Sequence, residues 1–432
     1  MRWTVRLLWG ASLWCWAVAA HAWTDHAWST WLALQALPSA RDEALVRVEP
    51  LEKFLLDQGP ALEAALQYEE QWARGKIRNY PARPEVLAYR FDRTLDPAEL
   101  KRRFLMAVRV NPGLPLALNV QVFGPAPHAP SAPWASRRLQ GLREGDWVSV
   151  VDVIATAAQE PDEGMDTGLW LDSGTEHGKL YGFGRRPFAN WPLPLGEQAA
   201  FHMGFFHEPM LTYASNNDAQ RMYPEYRMHL WQSLARFALV NGHAYWGWRF
   251  AGWAMHYAQD MTQPYHASLL PGTSLPKRLW MDALGWVGSS DALRERLHQR
   301  TMRQRAFERY QAYTLASGWR KAGADHPDLV PLTQIKRDAG RMALPEKGLR
   351  DVVALQASQS AAELDARMEE VLAGAGRDAV EPAWLSDDQA LSAWHEQLHS
   401  PASPSVQALD ELLREIAQRF GSVTRAIWRR LQ

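Results

Sequence analysis

The sequence predicts a mostly α-helical protein, and three observations carry that expectation. From Asn241 to Gln263, Ala, Trp, Phe and Met fill successive turns before Pro264 stops the run. Val406, Leu409, Leu413, Ile416, Phe420, Val423 and Ile427 recur at helical spacing to the C-terminus. Asp96-Pro97-Ala98-Glu99 reads as an N-cap, a proline at the first helical position and an acid at the third. The composition is compatible with a folded chain. Its 432 residues are 47% hydrophobic, enough for two or three domains with a large core, so general disorder is excluded. With 47 Lys+Arg against 48 Asp+Glu, no positive excess exists to gather a polyanion, and no stable nucleic-acid partner is expected. One cysteine, Cys15, cannot make a disulfide scaffold.

Taken in order, the chain begins with Arg2 and Arg6, an apolar run from Leu7 to Ala20, and Ala20-His21-Ala22. That is the layout of a secretory signal peptide, residues 1–22, and predicts an exported, periplasmic or secreted protein. A membrane anchor would need about 20 apolar residues, more than this run supplies. Cleavage after Ala22 would discard Cys15 and, by removing Arg2 and Arg6, move the formal charge from −1 to −3. It would leave Trp23 as the N-terminus, whose α-amine (pKa near 8) can be displaced from its proton by a metal at neutral pH. Cleavage after Ala20 would instead leave an ordinary first helix. Trp28, Trp31, Leu32, Leu34 and Leu37 give that helix an apolar face, with His26 at its start.

Residues 38–146 form a long segment in which Glu63, Glu69 and Glu70 read as helix surface. The capped helix from Asp96 continues through Phe104, Leu105 and Val108 to Asn111-Pro112-Gly113. Prolines between Pro112 and Pro133 then predict extended, irregular chain. Trp147 to Ala158 is apolar and leads into the acidic turn Glu160-Pro161-Asp162-Glu163-Gly164-Met165-Asp166. In the central run, Asn241-Gly242 reads as a start signal. His256 and Asp260 are four apart and project from one face, and a loop after Pro264 can bring His266 back to them. Imidazole nitrogen and carboxylate oxygen in this arrangement form a zinc-type ligand set.

The run His256-Tyr257-Ala-Gln-Asp260-Met-Thr-Gln-Pro264-Tyr-His266 resembles the His-Tyr-x-x-Asp-x-x-x-Pro-x-His signature of bacterial zinc-dependent phospholipase C, whose superfamily includes the S1/P1 nucleases. Trp23 after Ala-His-Ala, and His26-Ala-Trp28, match that family's mature N-terminus separately. The resemblance covers chiefly residues 23–37 and about 150–315. It implies an all-α, phospholipase C/P1 nuclease-like domain over residues 23–320, with 38–146 as an insertion and 321–432 as a helical extension. It also implies up to three Zn2+ ions. Trp23 and His26 would hold one, and Asp260 would bridge it to a second held by His256, Asp162 and either His202 or His207. His266 would begin a third site. There the family's His and acid four apart are not matched, since His298 is followed by Met302 and Glu308 is preceded by Gln304. Either His298 or Glu308 remains as a ligand.

Those implications make the chain a metal-dependent hydrolase of a phosphodiester, with Asp162 and Asp260 as catalytic residues and phospholipase C-like chemistry in which metal-bridged hydroxide attacks phosphorus. A single-stranded nuclease and a non-catalytic, zinc-stabilised helical protein are the alternatives. Trp246, Trp248, Trp253, Trp280 and Trp286 would suit a phospholipid surface if exposed, or stack on bases. The arginines between Arg294 and Arg309 read as a solvated face, as do His395 and His399, while Arg425, Arg429 and Arg430 suit the end of a helix dipole. N-terminal sequencing of the mature protein is expected to begin at Trp23; a chain beginning elsewhere would remove the terminal amine from the ligand set.

Overall fold

A computed structural model of the chain describes residues 25–42, 45–123, 138–187, 195–286, 291–340, 348–373, 383–385 and 387–432. The leader with its cleavage site, Trp23 and the later part of the proline-rich stretch lie outside these residues. Helix accounts for 68% and strand for 3%, so the architecture is all-α. No described helix is long and apolar enough to cross a membrane.

Helix α1 (His26–Gln35) is capped by Asp25, whose carboxylate accepts from the Trp28 amide. Helix α2 (Leu51–Lys76) turns Phe54, Leu62 and Leu66 inward, and α3 (Pro97–Ala107) starts on the Asp96 carboxylate, which accepts from Glu99 N–H. Two short antiparallel pairs tie this N-terminal part together: Val46–Arg47 with Trp147–Val148, and Asn119–Gln121 with Leu139–Gly141. The second pair departs from the expectation of irregular chain after Pro112. Pro115 is the last proline before this strand in the described chain, so Asn119 to Gln121 keep the backbone N–H groups a ladder needs.

The functional elements follow. Helix α4 (Val150–Ala157) leads into a 3₁₀ turn at Glu160–Glu163, and α5 (Ala199–His202) is a single turn. Helices α6 (Pro224–Val240) and α7 (Ala244–Asp260) pack along their length. Between them Asn241 caps the end of α6 and Gly242 adopts φ +83°, so Asn-Gly is the turn joining two helices and not the start of one. Pro264 opens the one-turn α8 (Pro264–Ala267), which places His266 on a helix where a loop was expected.

Downstream come α9 (Leu275–Trp286), α10 (Asp291–Ala322), α11 (Val330–Thr333), α12 (Leu355–Ala373), α13 (Asp388–Leu398) and α14 (Pro404–Leu431). The apolar stripe of α14 packs against α1, α7, α11 and α12, so the C-terminal segment lies directly on the helices that carry His26, His256 and Asp260. Gly421 permits that approach, because a Cβ there would meet the Leu332 carbonyl oxygen at 2.0 Å.

Several residues assigned to the surface are buried, each with a partner that sequence spacing does not reveal. Glu70 accepts from Arg74, Tyr80 and the Arg83 amide, and Glu69 pairs with His229. Arg296 and Arg300 of α10 are buried, and Arg296 pairs with Asp365. Arg425, expected from the sequence only to suit the end of a helix dipole, is fully buried on the Asp338 carboxylate. His395 is buried too; burial, reinforced by the neighbouring His399, holds its imidazole down to about 3. Trp246, Trp248 and Trp253 are core residues that offer no membrane-facing surface, whereas Trp280 is exposed.

Gly252, one turn before His256, sets the distance between α4 and α7. A Cβ at this position would lie 2.4 Å from the Ile154 carbonyl oxygen and 2.6 Å from Ala157 Cβ. Gly252→Ala is expected to force the two helices apart and cost about 1–3 kcal/mol by overpacking, outweighing the gain of about 1 kcal/mol in helix propensity. Urea denaturation of the variant checks this.

Candidate metal centre

Five side chains that carry metal-ligand atoms converge where α1, the Glu160–Glu163 turn, α5 and α7 meet. They are His26, Asp162, His202, His256 and Asp260. Two groups of three are close enough to share an ion: His26, His256 and Asp260, and Asp162, His202 and His256. The i, i+4 spacing on α7 puts His256 Nε2 3.3 Å from Asp260 Oδ2. His202 Nδ1 lies 2.8 Å from the same oxygen and 3.0 Å from His256 Nε2. His26 Nε2 faces Asp260 Oδ1 at 3.3 Å, and among the described residues neither atom has a hydrogen-bond partner that meets full donor–acceptor geometry.

Each imidazole is held from behind, and that contact decides which nitrogen turns inward. His256 Nδ1 lies 2.8 Å from the carbonyl of Ala158 at the end of α4; since a carbonyl can only accept, Nδ1 donates and Nε2 carries the inward lone pair. His26 Nδ1 is 2.9 Å from the Gln259 amide oxygen, which leaves its Nε2 inward. His202 presents Nε2 to the Asp166 carboxylate at 3.3 Å, so its inward atom is Nδ1. Three inward ring nitrogens and two carboxylates therefore point at a common centre, each ring facing an acceptor with its other nitrogen, as histidine ligands of metals usually do.

Asp166 is a site residue that the sequence reading passed over. It is fully buried, accepts from Tyr257 Oη at 2.6 Å and pairs with Arg227 at 2.6 Å. Arg227, also buried, donates as well to the carbonyls of Val108 and Arg109. Gln159 is a second such residue: its Oε1 accepts from the His26 amide while its Nε2 donates to Asp162 Oδ2, fixing α1 against the acidic turn. Both residues were within reach, since Asp166 closes the turn already singled out and Gln159 immediately precedes it.

Charge explains the pKa directions. Burial pushes the Asp260 carboxyl up, but the adjacent His256, His202 and His26 together hold it well below the ordinary carboxylate range. Burial lowers the His202 imidazole, yet its bonds to Asp166 and Asp260 raise it to about 10. His256 is lowered by burial and by the charge of His26. Asp162, Asp166 and Asp260 gather three carboxylates here, and among the described residues Arg227 is a permanent cation paired with one of them, Asp166. Uncompensated buried charge costs several kcal/mol per ion, and divalent cations on the inward lone pairs would supply the missing positive charge. The donor set fits Zn2+ and its neighbours in softness.

The remaining sequence candidates are placed elsewhere. His207 binds the Arg350 carbonyl through Nε2, because the chain after Phe206 turns toward the helical turn Leu349–Ala354, so His202 takes the inner position. His298 is exposed on α10 and does not join the centre. His266 and Glu308 do approach each other, but Gln304 lies between them. The His266 ring bonds the His202 carbonyl through Nδ1, and its Nε2 receives the Gln304 amide at 3.1 Å. The same amide donates to Glu308, and its oxygen accepts from Arg300 at 2.7 Å. Hydrogen bonds join these four side chains in a row, with Arg300 supplying positive charge beside them, an arrangement that does not fit a third cation.

No family model, curated protein or solved structure matches the chain in comparison with known proteins. Arg227→Met tests the electrostatic account of the site. Removing one partner of a buried pair strands the other, so about 3–5 kcal/mol of stability is expected to be lost, read by chemical denaturation of the metal-free protein.

Proposed function

We propose that the chain is an exported metal-dependent hydrolase of phosphoric esters, phospholipase C-like in that it cleaves a phosphodiester, with zinc as its metal. The observation that carries this reading is the convergence of His26 Nε2, His202 Nδ1 and His256 Nε2 with Asp162 and Asp260 on one buried centre. The resemblance of residues 256–266 to the zinc-dependent phospholipase C signature supports it independently. Asp260, with one oxygen toward His26 and the other toward His202, could serve both ions, whereas His256 has a single inward nitrogen and would serve one of them; His26 would complete one site and Asp162 and His202 the other.

Divalent cations bound there would make water acidic enough to ionise near neutral pH and would neutralise phosphate oxygens as charge develops. The protein groups supply orientation and proton handling. Asp162 is 8% exposed against at most 1% for the other four donors, so it is the carboxylate nearest to an arriving substrate. Gln159 occupies its Oδ2 and thereby aims Oδ1 toward His202 and His256, where it can accept a proton from attacking water. Asp260 is held in the ionised form by the surrounding imidazoles and is a fixed counter-charge.

Burial of Trp246, Trp248 and Trp253 removes their support for a phospholipid surface and equally for base stacking, leaving the phosphodiester itself as the proposed substrate class. The network of Gln304 and Arg300 between His266 and Glu308 favours one second reading, a non-catalytic protein that binds metal for stability. Metal analysis of the purified protein, with hydrolysis of bis(p-nitrophenyl) phosphate, separates the two. The enzyme reading expects about two equivalents of Zn2+, activity abolished by chelation and restored by zinc, and a loss of at least about 100-fold in kcat on Asp162→Asn, the scale of general-base removal. Tight zinc with no hydrolysis would establish the second reading, and protein that takes up no metal would overturn both.

A further inference from the structure

The C-terminal helix α14 lies beyond the part of the chain that resembles a metallohydrolase, yet one of its side chains reaches the groups behind His26. Gln259 is fully buried between α1 and α14. Its amide nitrogen donates to Thr30 Oγ1 at 2.8 Å and to Thr424 Oγ1 at 2.9 Å, while its oxygen faces His26 Nδ1 at 2.9 Å. Thr424 spends its own hydroxyl proton on the Phe420 carbonyl, 2.8 Å away, so toward Gln259 it can only accept. That fixes the direction of the whole chain of hydrogen bonds. The Gln259 nitrogen must face the threonines, its oxygen must face His26, and His26 must donate from Nδ1.

We infer that α14 is part of the metal centre: Thr424, acting through Gln259, sets the tautomer and orientation of His26 and thereby the affinity of the ion held by His26, His256 and Asp260. Neighbouring residues on the same helix hold Thr424 in register. Arg425 is fully buried, binds both oxygens of Asp338 and donates to the carbonyls of Leu332 and Ala33, the last belonging to α1. The Phe420 ring lies 6.1 Å from the His26 ring, centroid to centroid. Trp428 stacks on Trp248 of α7 at 4.8 Å and bonds Ser39 just after α1. A helix placed this way couples residues almost 400 positions away in the chain to the first metal ligand.

The inference rests on the proposed metal centre, and its test separates the two. Metal-free full-length protein would be titrated with Co2+, whose absorption bands report coordination. Wild type is expected to bind two equivalents. Thr424→Val, which keeps shape but cannot accept, is expected to weaken one of the two by about 10- to 100-fold, the usual effect of losing a group behind a histidine ligand, and to leave the other unchanged. Thr424→Ser should restore it. Thr30→Val, which removes the other acceptor of the same amide, is expected to act in the same direction and serves if the first variant does not fold. Folded Thr424→Val and Thr30→Val proteins that bind both equivalents as tightly as wild type would overturn the inference while leaving the metal centre standing. Wild type that binds no Co2+ would overturn the centre itself.

Discussion

Everything around the centre follows from the presence of Asp162, Asp166 and Asp260 in a nearly dry interior. A buried carboxylate is tolerated only with opposite charge and hydrogen bonds around it. The chain meets that requirement in two ways. Asp166 receives permanent compensation from Arg227 and Tyr257, and so is a closed, structural carboxylate that steadies His202. Asp260 receives imidazoles, whose charge depends on a proton or its substitute. The His202 imidazole, lowered by burial but raised to about 10 by its bonds to Asp166 and Asp260, is one of these groups. A centre whose charge balance is completed by exchangeable cations is what separates a candidate binding site from a buried salt bridge.

The geometry is maintained by contacts that lie outside the ligand set. Gly252 lets α7 approach α4 closely enough for the Ala158 carbonyl to reach His256. Gln159 joins the His26 backbone to the Asp162 carboxylate, and the His202 carbonyl accepts from His266. Each of these links two elements distant in sequence, so the ligands are oriented only when the helices have docked. Metal affinity and fold stability would accordingly be linked at the proposed centre, because an ion that binds the native arrangement alone stabilises it by mass action.

How much of this was legible in the sequence follows from the range of the interactions. His256 and Asp260 were readable because helical periodicity places them on one face, and the Asp96 cap because its partner is three residues away. Asp162 was reachable as part of the acidic turn that follows an apolar helix. Periodicity could not choose between His202 and His207, since the choice depends on where the chain turns after Phe206. It likewise misplaced Glu70 and His395 on the surface, since polar residues are usually exposed and the partners that bury these two, Tyr80 and Thr314, lie 10 and 81 residues away. Tryptophan was the least informative residue. It is amphipathic, and only packing decides whether it faces a lipid, a base or, as Trp246 and Trp253 do, its own core.

The contrast between Gln259 and Gln304 shows how the same side chain can build a site or close one. Gln259 presents its oxygen to the far nitrogen of His26, which leaves the inward lone pair available. Gln304 presents its nitrogen to the inward atom of His266, which consumes it. In both cases the amide has no freedom to turn over: two threonine acceptors hold Gln259 by its nitrogen, and Arg300 holds Gln304 by its oxygen. The outcome is therefore set one residue further out, by whether the neighbour of the amide donates or accepts. A ligand motif read from sequence counts the histidines, but the groups two contacts away decide which of them can bind.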